Sequence, residues 1–342
     1  MSLVYEASYI FAGKKNNAMK KTIKILLYVV IFVALVLLGG YIYLQSAFPK
    51  VGPAPDMVIE ITPERIERGE YLAYHVMMCM DCHAERDWSI FTGPPVESTL
   101  GAGGERFDRT MGFPGVFYSR NITPAALTEW TDGELYRLIT TGVRKDGTVI
   151  FPVMPYMNYG KMDPEDIKAV IAYLRTIDPV QASWPESEVD FPFNLILPTI
   201  PEEADPHPIP DQSDKVAYGK YLTNAAACAE CHTNFEKGKF VGEYLAGGRS
   251  FQFPDGGLLT SPNLTPHATG LGNWTSDMFV QRFKIFEDSN YVPQRVQPGE
   301  FQTMMPWAMY AGMKTEDLEA IFAYLQTLDP VENQIQPFVP AP

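Results

Sequence analysis

The sequence predicts a mainly α protein: two tandem helical domains behind an N-terminal transmembrane helix. Three observations carry this: a long uncharged apolar run near the N-terminus, an internal repeat over most of the remainder, and matching helix start and stop signals in both copies.

Residues Ile25 to Pro49 carry no charge, and Ile25 to Leu44 is almost wholly apolar. Coiled as a helix, about 20 such residues reach across the roughly 30 Å of a hydrocarbon core. Lys14, Lys15, Lys20, Lys21 and Lys24 precede the run, and the next lysine is Lys50. Cytoplasmic loops retain lysine and arginine, so residues 1–24 are expected in the cytoplasm, 25–45 as the anchor and the rest outside. A cleaved signal peptide is the competing reading. Apolar regions of signals run about 7–15 residues, however, and Gln45-Ser46-Ala47-Phe48 is a poor small-residue cleavage site.

With the first 24 residues set aside, 22 Lys and Arg stand against 40 Asp and Glu. Such an acidic body argues against nucleic acid, whose phosphates would repel it. It suits a partner with a basic docking face, or solubility alone.

The repeat begins with Arg68-Gly69-Glu70-Tyr71-Leu72, which returns as Tyr218-Gly219-Lys220-Tyr221-Leu222. Gly103-Gly104 returns at Gly247-Gly248, Asn121-Ile122-Thr123-Pro124 as Asn263-Leu264-Thr265-Pro266, Trp130-Thr131 as Trp274-Thr275, and Met154-Pro155 as Met305-Pro306. Both copies close on Asp-Pro-Val, at Asp178 and at Asp329. The domains are therefore 57–182 and 213–332. Between them, residues 183–212 hold seven prolines, which reads as an extended, fairly stiff linker. Phe191, Phe193, Leu195, Ile196 and Leu197 give it apolar surface to pack on a neighbour.

Thr62-Pro63-Glu64 and Ser213-Asp214 are helix starts, and each helix is expected to run into the cysteines that follow. Asp163-Pro164-Glu165 opens a second helix with Ile167, Val170, Ile171 and Leu174 on one face. Leu318, Ile321, Phe322 and Leu325 repeat that face. Gly69 and Gly219 stand where a helix interior favours alanine, which points to close contact with the later helix of each copy, under Tyr173 and Tyr324.

The four cysteines form Cys79-Met80-Asp81-Cys82-His83 and Cys228-Ala229-Glu230-Cys231-His232. Cys-x-x-Cys-His is the pattern of c-type haem attachment. Two thiols on one helical turn reach the two vinyl groups of a single haem, and the following histidine ligates its iron. Pooled zinc ligands or a redox dithiol are the alternatives, and neither needs a histidine in both copies. The reading is two covalently bound haem c groups, held by Cys79, Cys82, Cys228 and Cys231, with His83 and His232 as iron ligands.

Each iron then needs a sixth ligand. Of 15 methionines, Met154 and Met305 match across the repeat, and each is followed by proline. They are the expected distal ligands. Met162 and Met313 also match but stand at helix starts, where a core role fits. His75, His207 and His267 do not repeat, so surface or packing roles are expected. Trp130, Trp274, Asn121 and Asn263 either bind haem propionates or fix the neighbouring turns.

Asn121 to Pro124, Trp130-Thr131-Asp132, Gly142 to Gly147 and Met154-Pro155-Tyr156, with the helix that follows, resemble class I cytochrome c domains. In particular they resemble those of the cytochrome subunits of membrane-bound bacterial alcohol and gluconate dehydrogenases. Asn263 to Pro266, Thr269 to Gly272, Trp274 and Met305-Pro306 carry the likeness in the second copy. The resemblance implies two tandem class I cytochrome c-like domains. Those subunits usually carry three attachment motifs, whereas this chain has two. The expected function is single-electron transfer on the periplasmic side of a bacterial membrane, without substrate turnover. Electrons would pass between a dehydrogenase or quinol-oxidising complex and a terminal oxidase or soluble carrier. A dihaem peroxidase-like enzyme with one open haem site is the alternative.

Overall fold

The structure is a computed structural model that describes residues 3–236, 238–253 and 256–340, with side chains from Met19 onward. It is mainly helical. Helix α1 (Leu3–Ala47) belongs to one unit, ending at Phe48, and residues from Pro49 onward form a second. Within α1, Met19–Ala47 contains an 18-residue window of mean hydropathy 2.8 and is long and apolar enough to cross a membrane.

In the second unit, α2 (Pro63–Tyr71) starts where the sequence places it: Thr62 Oγ1 accepts from the Arg65 amide, and proline takes the first turn. This helix does not run unbroken into the cysteines, contrary to expectation. A π turn (Leu72–Val76) follows, Met78 turns left-handed at φ 55°, and only then does α3 (Cys79–Cys82) begin. Tyr71 and Cys79 stand one residue further apart than Tyr221 and Cys228. The wide π turn absorbs that extra residue.

Short strands β1 (Arg106–Phe107) and β2 (Gly115–Tyr118) pair antiparallel. Then come α4 (Pro124–Leu127), α5 (Asp132–Thr141) with a Thr131/Glu134 capping box, α6 (Tyr156–Tyr159) and α7 (Pro164–Leu174). Helix α7 packs on α2 around Leu72, Ile167 and Ile171, all fully buried. A Cβ on Gly69 would sit 1.9 Å from the Ala169 carbonyl oxygen and 2.8 Å from Tyr173 Cβ, so only glycine permits this approach.

The 183–212 segment is extended, as its prolines imply, but it is bound along the first half. Strand β3 (Glu188–Val189) joins β2, Trp184 Nε1 donates to the Ala102 carbonyl, and the Phe193 ring of α8 (Phe193–Ile196) lies 5.6 Å from Phe151. The Ile209 amide donates to Asp163 Oδ2.

The second half repeats the plan. Helix α9 (Lys215–Ala225) is capped by Asp214, Ala227 turns left-handed at φ 51°, and α10 (Cys228–His232) follows. Hairpins β4 (Phe235–Glu236) with β5 (Lys239–Phe240) and β6 (Ser250–Gln252) with β7 (Leu258–Thr260) lead to α11 (Ser276–Lys284). After α12 (Trp307–Tyr310), α13 (Thr315–Leu325) packs on α9, and β8 (Phe338–Val339) closes on β7. The Gly219 Cβ position lies 1.8 Å from the Ala320 carbonyl oxygen, with Ile321 next, so at this copy the close neighbours are Ala320 and Ile321.

Two repeated motifs prove to be one clamp. Asn121 Oδ1 accepts from the Thr123 amide and hydroxyl while its Nδ2 donates to the Val180 carbonyl at 2.7 Å. Asn263 makes the same bonds to Thr265 and to Val331. Asn-x-Thr-Pro thus ties itself to the Asp-Pro-Val that ends each copy.

The halves meet through an exchange related by near two-fold symmetry. Tyr71 donates to Asp317 Oδ2 at 2.5 Å and accepts from the Lys314 amide. Its counterpart Tyr221 donates to Asp166 Oδ2 at 2.6 Å and accepts from the Asp163 amide. Beside them, His75 Nδ1 bonds the Met309 carbonyl, and Asn224 and Asn158 bond each other's carbonyls reciprocally.

Candidate functional site

Each attachment motif is aimed by the left-handed residue before it, Met78 or Ala227. Cys79 and Cys82 then fall on one turn of α3, and the His83 amide donates to the Cys79 carbonyl at 2.8 Å. Cys228 and Cys231 share a turn of α10, with His232 at its end.

Both histidines are oriented by backbone. His83 Nδ1 lies 2.6 Å from the Arg120 carbonyl oxygen, and His232 Nδ1 lies 2.9 Å from that of Pro262. A carbonyl can only accept, so Nδ1 carries the hydrogen and the Nε2 lone pair is left for a metal. Burial also pulls both imidazoles below their ordinary pKa, which keeps them neutral. The glycine pairs make this approach feasible. The Gly103 amide donates to the His83 carbonyl, and a Cβ there would lie 2.5 Å from the Ser119 carbonyl oxygen. Gly247 repeats both features against His232 and Ser261. Their positive φ, 79° and 77°, further excludes most side chains. Arg120 and Pro262 act through their carbonyls, so residue type gave no signal for them.

The thiols separate the readings. Burial pushes Cys79, Cys82 and Cys228 up to about 12, and Cys231 is also raised. A redox dithiol needs a depressed thiol, and these thiols are raised. Cys231 has an exposed side chain, while enough protein surrounds its sulfur for desolvation to act. Among the described residues, no group of three or more His, Cys, Asp and Glu is placed to hold a metal ion, so the two motifs do not pool their ligands.

Met154 and Met305 precede α6 and α12 and are partly buried against the core. These short helices return to the attachment motifs. Tyr159 donates to the Met77 carbonyl at 2.8 Å, and Tyr310 to the Ala226 carbonyl at 2.7 Å. Each methionine-bearing segment is thereby tied to the residue two before the first cysteine of its own half. Met162 and Met313 are 1% exposed and fill the core. Next to Met154, the hydroxyl of Tyr156 is buried without a hydrogen-bond partner. An orphaned donor there is what a haem propionate or a bound water would satisfy. Paired thiols, a neutral histidine with a free Nε2 and a tethered methionine suit a c-type haem in each half.

The remaining candidates make contacts within the protein. The amides of Asn121 and Asn263 are spent in their clamps. The Trp130 carbonyl accepts from Arg175, and its ring carries the Lys145 ammonium at 5.3 Å. His75 packs between the halves, where a Cβ on Gly312 would strike its ring at 2.1 Å. His207 is exposed near Asp205, and His267 holds its own turn through Thr269.

Sequence missed a charged group beside each motif. Asp81, 3% exposed, pairs with Arg86 at 3.3 Å, and Glu105 lies near the same arginine. In the second half Arg249 donates to the Glu230 carbonyl. Glu105 and Arg249 directly follow the glycine pairs, so the repeat puts opposite charges at one position.

Residues 216–329 match the family model for cytochrome c. The chain is 32% identical to the fructose dehydrogenase cytochrome subunit of Gluconobacter japonicus, over 64% of this chain and 44% of that protein. It is 27% identical to the cytochrome c subunit of the quinone-dependent alcohol dehydrogenase of Gluconacetobacter polyoxogenes, over 78% of this chain and 56% of that protein. A diheme c-type cytochrome of Cereibacter sphaeroides is 28% identical, over 87% and 97%. The chain spans about half the length of the first two. Residues 216–329 thus match the cytochrome c family model, and the chain as a whole is similar to the cytochrome c subunits of alcohol, fructose and gluconate dehydrogenases and to a diheme c-type cytochrome.

Proposed function

We propose that the chain is a membrane-anchored dihaem electron carrier, built from two tandem class I cytochrome c domains, 57–182 and 213–332. Cys79 and Cys82 hold one haem c, and Cys228 and Cys231 the other. His83 with Met154, and His232 with Met305, would ligate the two irons. The observation that carries this reading is the duplicated arrangement of a histidine with Nδ1 spent on a backbone carbonyl and a methionine segment tied back to the cysteines by a tyrosine.

Haem, when bound, supplies reversible one-electron exchange at its iron. The chain's own residues do the rest. The Arg120 and Pro262 carbonyls fix the tautomer of each proximal histidine. The tyrosine tethers hold each methionine segment in place, where its sulfur would serve as the second protein ligand to the iron. The Tyr71 and Tyr221 exchange holds the two halves in register. Helix α1 anchors the body on the periplasmic face, and its acidic surface meets a partner with a basic face. The names of its relatives support a dehydrogenase as one partner, with a quinol-oxidising complex as the other candidate donor, and the proposal gives the opposite side to a terminal oxidase or soluble carrier.

The test is a mass measurement and a redox titration of the full chain in washed membranes. Two haem increments are expected on the polypeptide. Met154→Ala and Met305→Ala should each lower one haem's potential and leave the other nearly intact. A polypeptide without the increments, or variants that leave both potentials in place, overturns the assignment. Release of the chain by an alkaline carbonate wash would remove the anchor.

A further inference from the structure

The two methionine segments are held by different means. Before Met154, the Phe151 ring stacks on Phe117 at 4.4 Å and meets Phe113 and Phe193, all from the first half and its linker. Before Met305, the Phe301 ring meets Phe338 of its own half at 5.6 Å. Here the first half also reaches across, with the loop that follows its own attachment motif.

That loop runs alongside residues 294–296 as an added extended segment. The Phe91 amide donates to the Gln294 carbonyl at 2.8 Å, the Val296 amide donates to the Ser89 carbonyl at 2.9 Å, and Ile90 pairs antiparallel with Arg295. The Phe91 ring lies 6.4 Å from Phe286 and 5.7 Å from Phe301. At the centre is Gln302, only 7% exposed. Its Oε1 accepts from the Thr92 amide at 2.8 Å and from the Thr303 amide at 2.9 Å. Its Nε2 donates to the carbonyls of Trp88 at 3.1 Å and Ile90 at 2.9 Å. Both donors and both acceptor positions of the buried amide are used, three of the four on the other half. The neighbouring Thr303 Oγ1 accepts from the Met305 amide at 3.1 Å.

The loop is itself stiff. Thr92 is 3% exposed and left-handed at φ 73°, a conformation threonine holds only when its surroundings enforce it. Arg86 enforces it, donating to the Thr92 carbonyl at 2.8 Å and the Gly93 carbonyl at 2.7 Å while pairing with Asp81 inside the first motif. Contacts therefore run unbroken from the first attachment motif through Arg86, Thr92, Gln302 and Thr303 to Met305.

We propose that Gln302 is a positioning residue for the second haem's distal ligand: through it, the loop after the first attachment motif holds Met305 in place. The proposal rests on the reading of Met305 as a ligand. Losing Gln302 leaves the Thr92 amide and the Trp88 and Ile90 carbonyls without their buried partner. The Met305 segment then swings away more easily, and an external ligand competes better for its position. Met154 has no such dependence.

The experiment uses the full-length, haem-loaded, oxidised protein and the weak near-infrared band that reports methionine sulfur on ferric iron. In a Met154→Ala background, that band belongs to Met305 alone, and imidazole titration gives the concentration that displaces it. Adding Gln302→Ala should lower that concentration about tenfold, the scale of one lost buried hydrogen bond to several groups. Gln302→Met, which keeps the volume but loses all four bonds, should give a similar fall and serves if the alanine variant does not fold. In a Met305→Ala background, Gln302→Ala should leave the displacement of Met154 unchanged. An unchanged titration for Met305, or an equal fall for both methionines, overturns the proposal. If Met305→Ala fails to abolish the second band, the ligand assignment itself is wrong, and the proposal falls with it for that separate reason.

Discussion

The two halves of the body share a scaffold and differ in what is placed around it. Helix pair, glycine contact, asparagine clamp, left-handed residue before the cysteines and carbonyl-held histidine are matched one for one. The first half alone inserts a π turn before its motif. It puts Glu105 where the second half has Arg249, and it lends a loop to its neighbour's methionine segment. Attachment needs fixed geometry, so its parts repeat. Charge and distal support can vary without moving the cysteines, so there the copies have diverged.

Equal scaffolds should fail equally. Gly69→Ala and Gly219→Ala would each put a Cβ within 2 Å of a backbone carbonyl, at Ala169 and Ala320. Each is expected to cost about 3 kcal/mol, read from the denaturant midpoint of the haem-loaded protein. A loss in one half and none in the other would break the symmetry of the helix pairs.

The tyrosine exchange should prove unequal. Asp166 keeps a bidentate pairing with Arg68 when Tyr221 is changed, at 2.8 and 2.7 Å. The Tyr71 hydroxyl is the side-chain bond that the buried Asp317 carboxylate makes across the interface. Tyr71→Phe should therefore cost about 2 kcal/mol and Tyr221→Phe about 1 kcal/mol. Equal losses would mean that Arg68 does not support Asp166 once the tyrosine is gone.

The smallest effect concerns Glu105. Burial raises its carboxyl above the ordinary range, against the opposing pull of Arg86 and the Trp88 indole, with Asp81 adding to the rise. The folded chain thus holds this proton more tightly than the unfolded chain. Stability then falls as pH rises through the unfolded value near about 4.3 and levels off above the folded one. Glu105→Gln should raise the unfolding midpoint slightly at pH 7, and the gain should vanish below about pH 4. A gain that persists in acid would point to packing instead of charge.

Much of this was legible in residue order. The Cys-x-x-Cys-His motifs and the matched methionines stood out because the proposed attachment and ligation each demand a particular side chain at a particular spacing, and the glycine pairs recur where a Cβ would strike backbone. Thr62, Asp163 and Asp214 likewise cap helices where they were expected. The break at Met78 was hidden, because methionine in a left-handed conformation leaves no trace in composition.

The amino-acid sequence by itself determined the duplicated Cys-x-x-Cys-His motifs, the apolar N-terminal run and the helix pairs, since covalent spacing and hydrophobic periodicity are local properties. Only the tertiary structure decided which carbonyl orients each histidine, that the linker lies along the first half, and that Tyr71, Tyr221 and Gln302 bond across to the other half. Those are meetings of backbone and side-chain groups distant in the chain, and packing alone selects them from the many partners each group could accept.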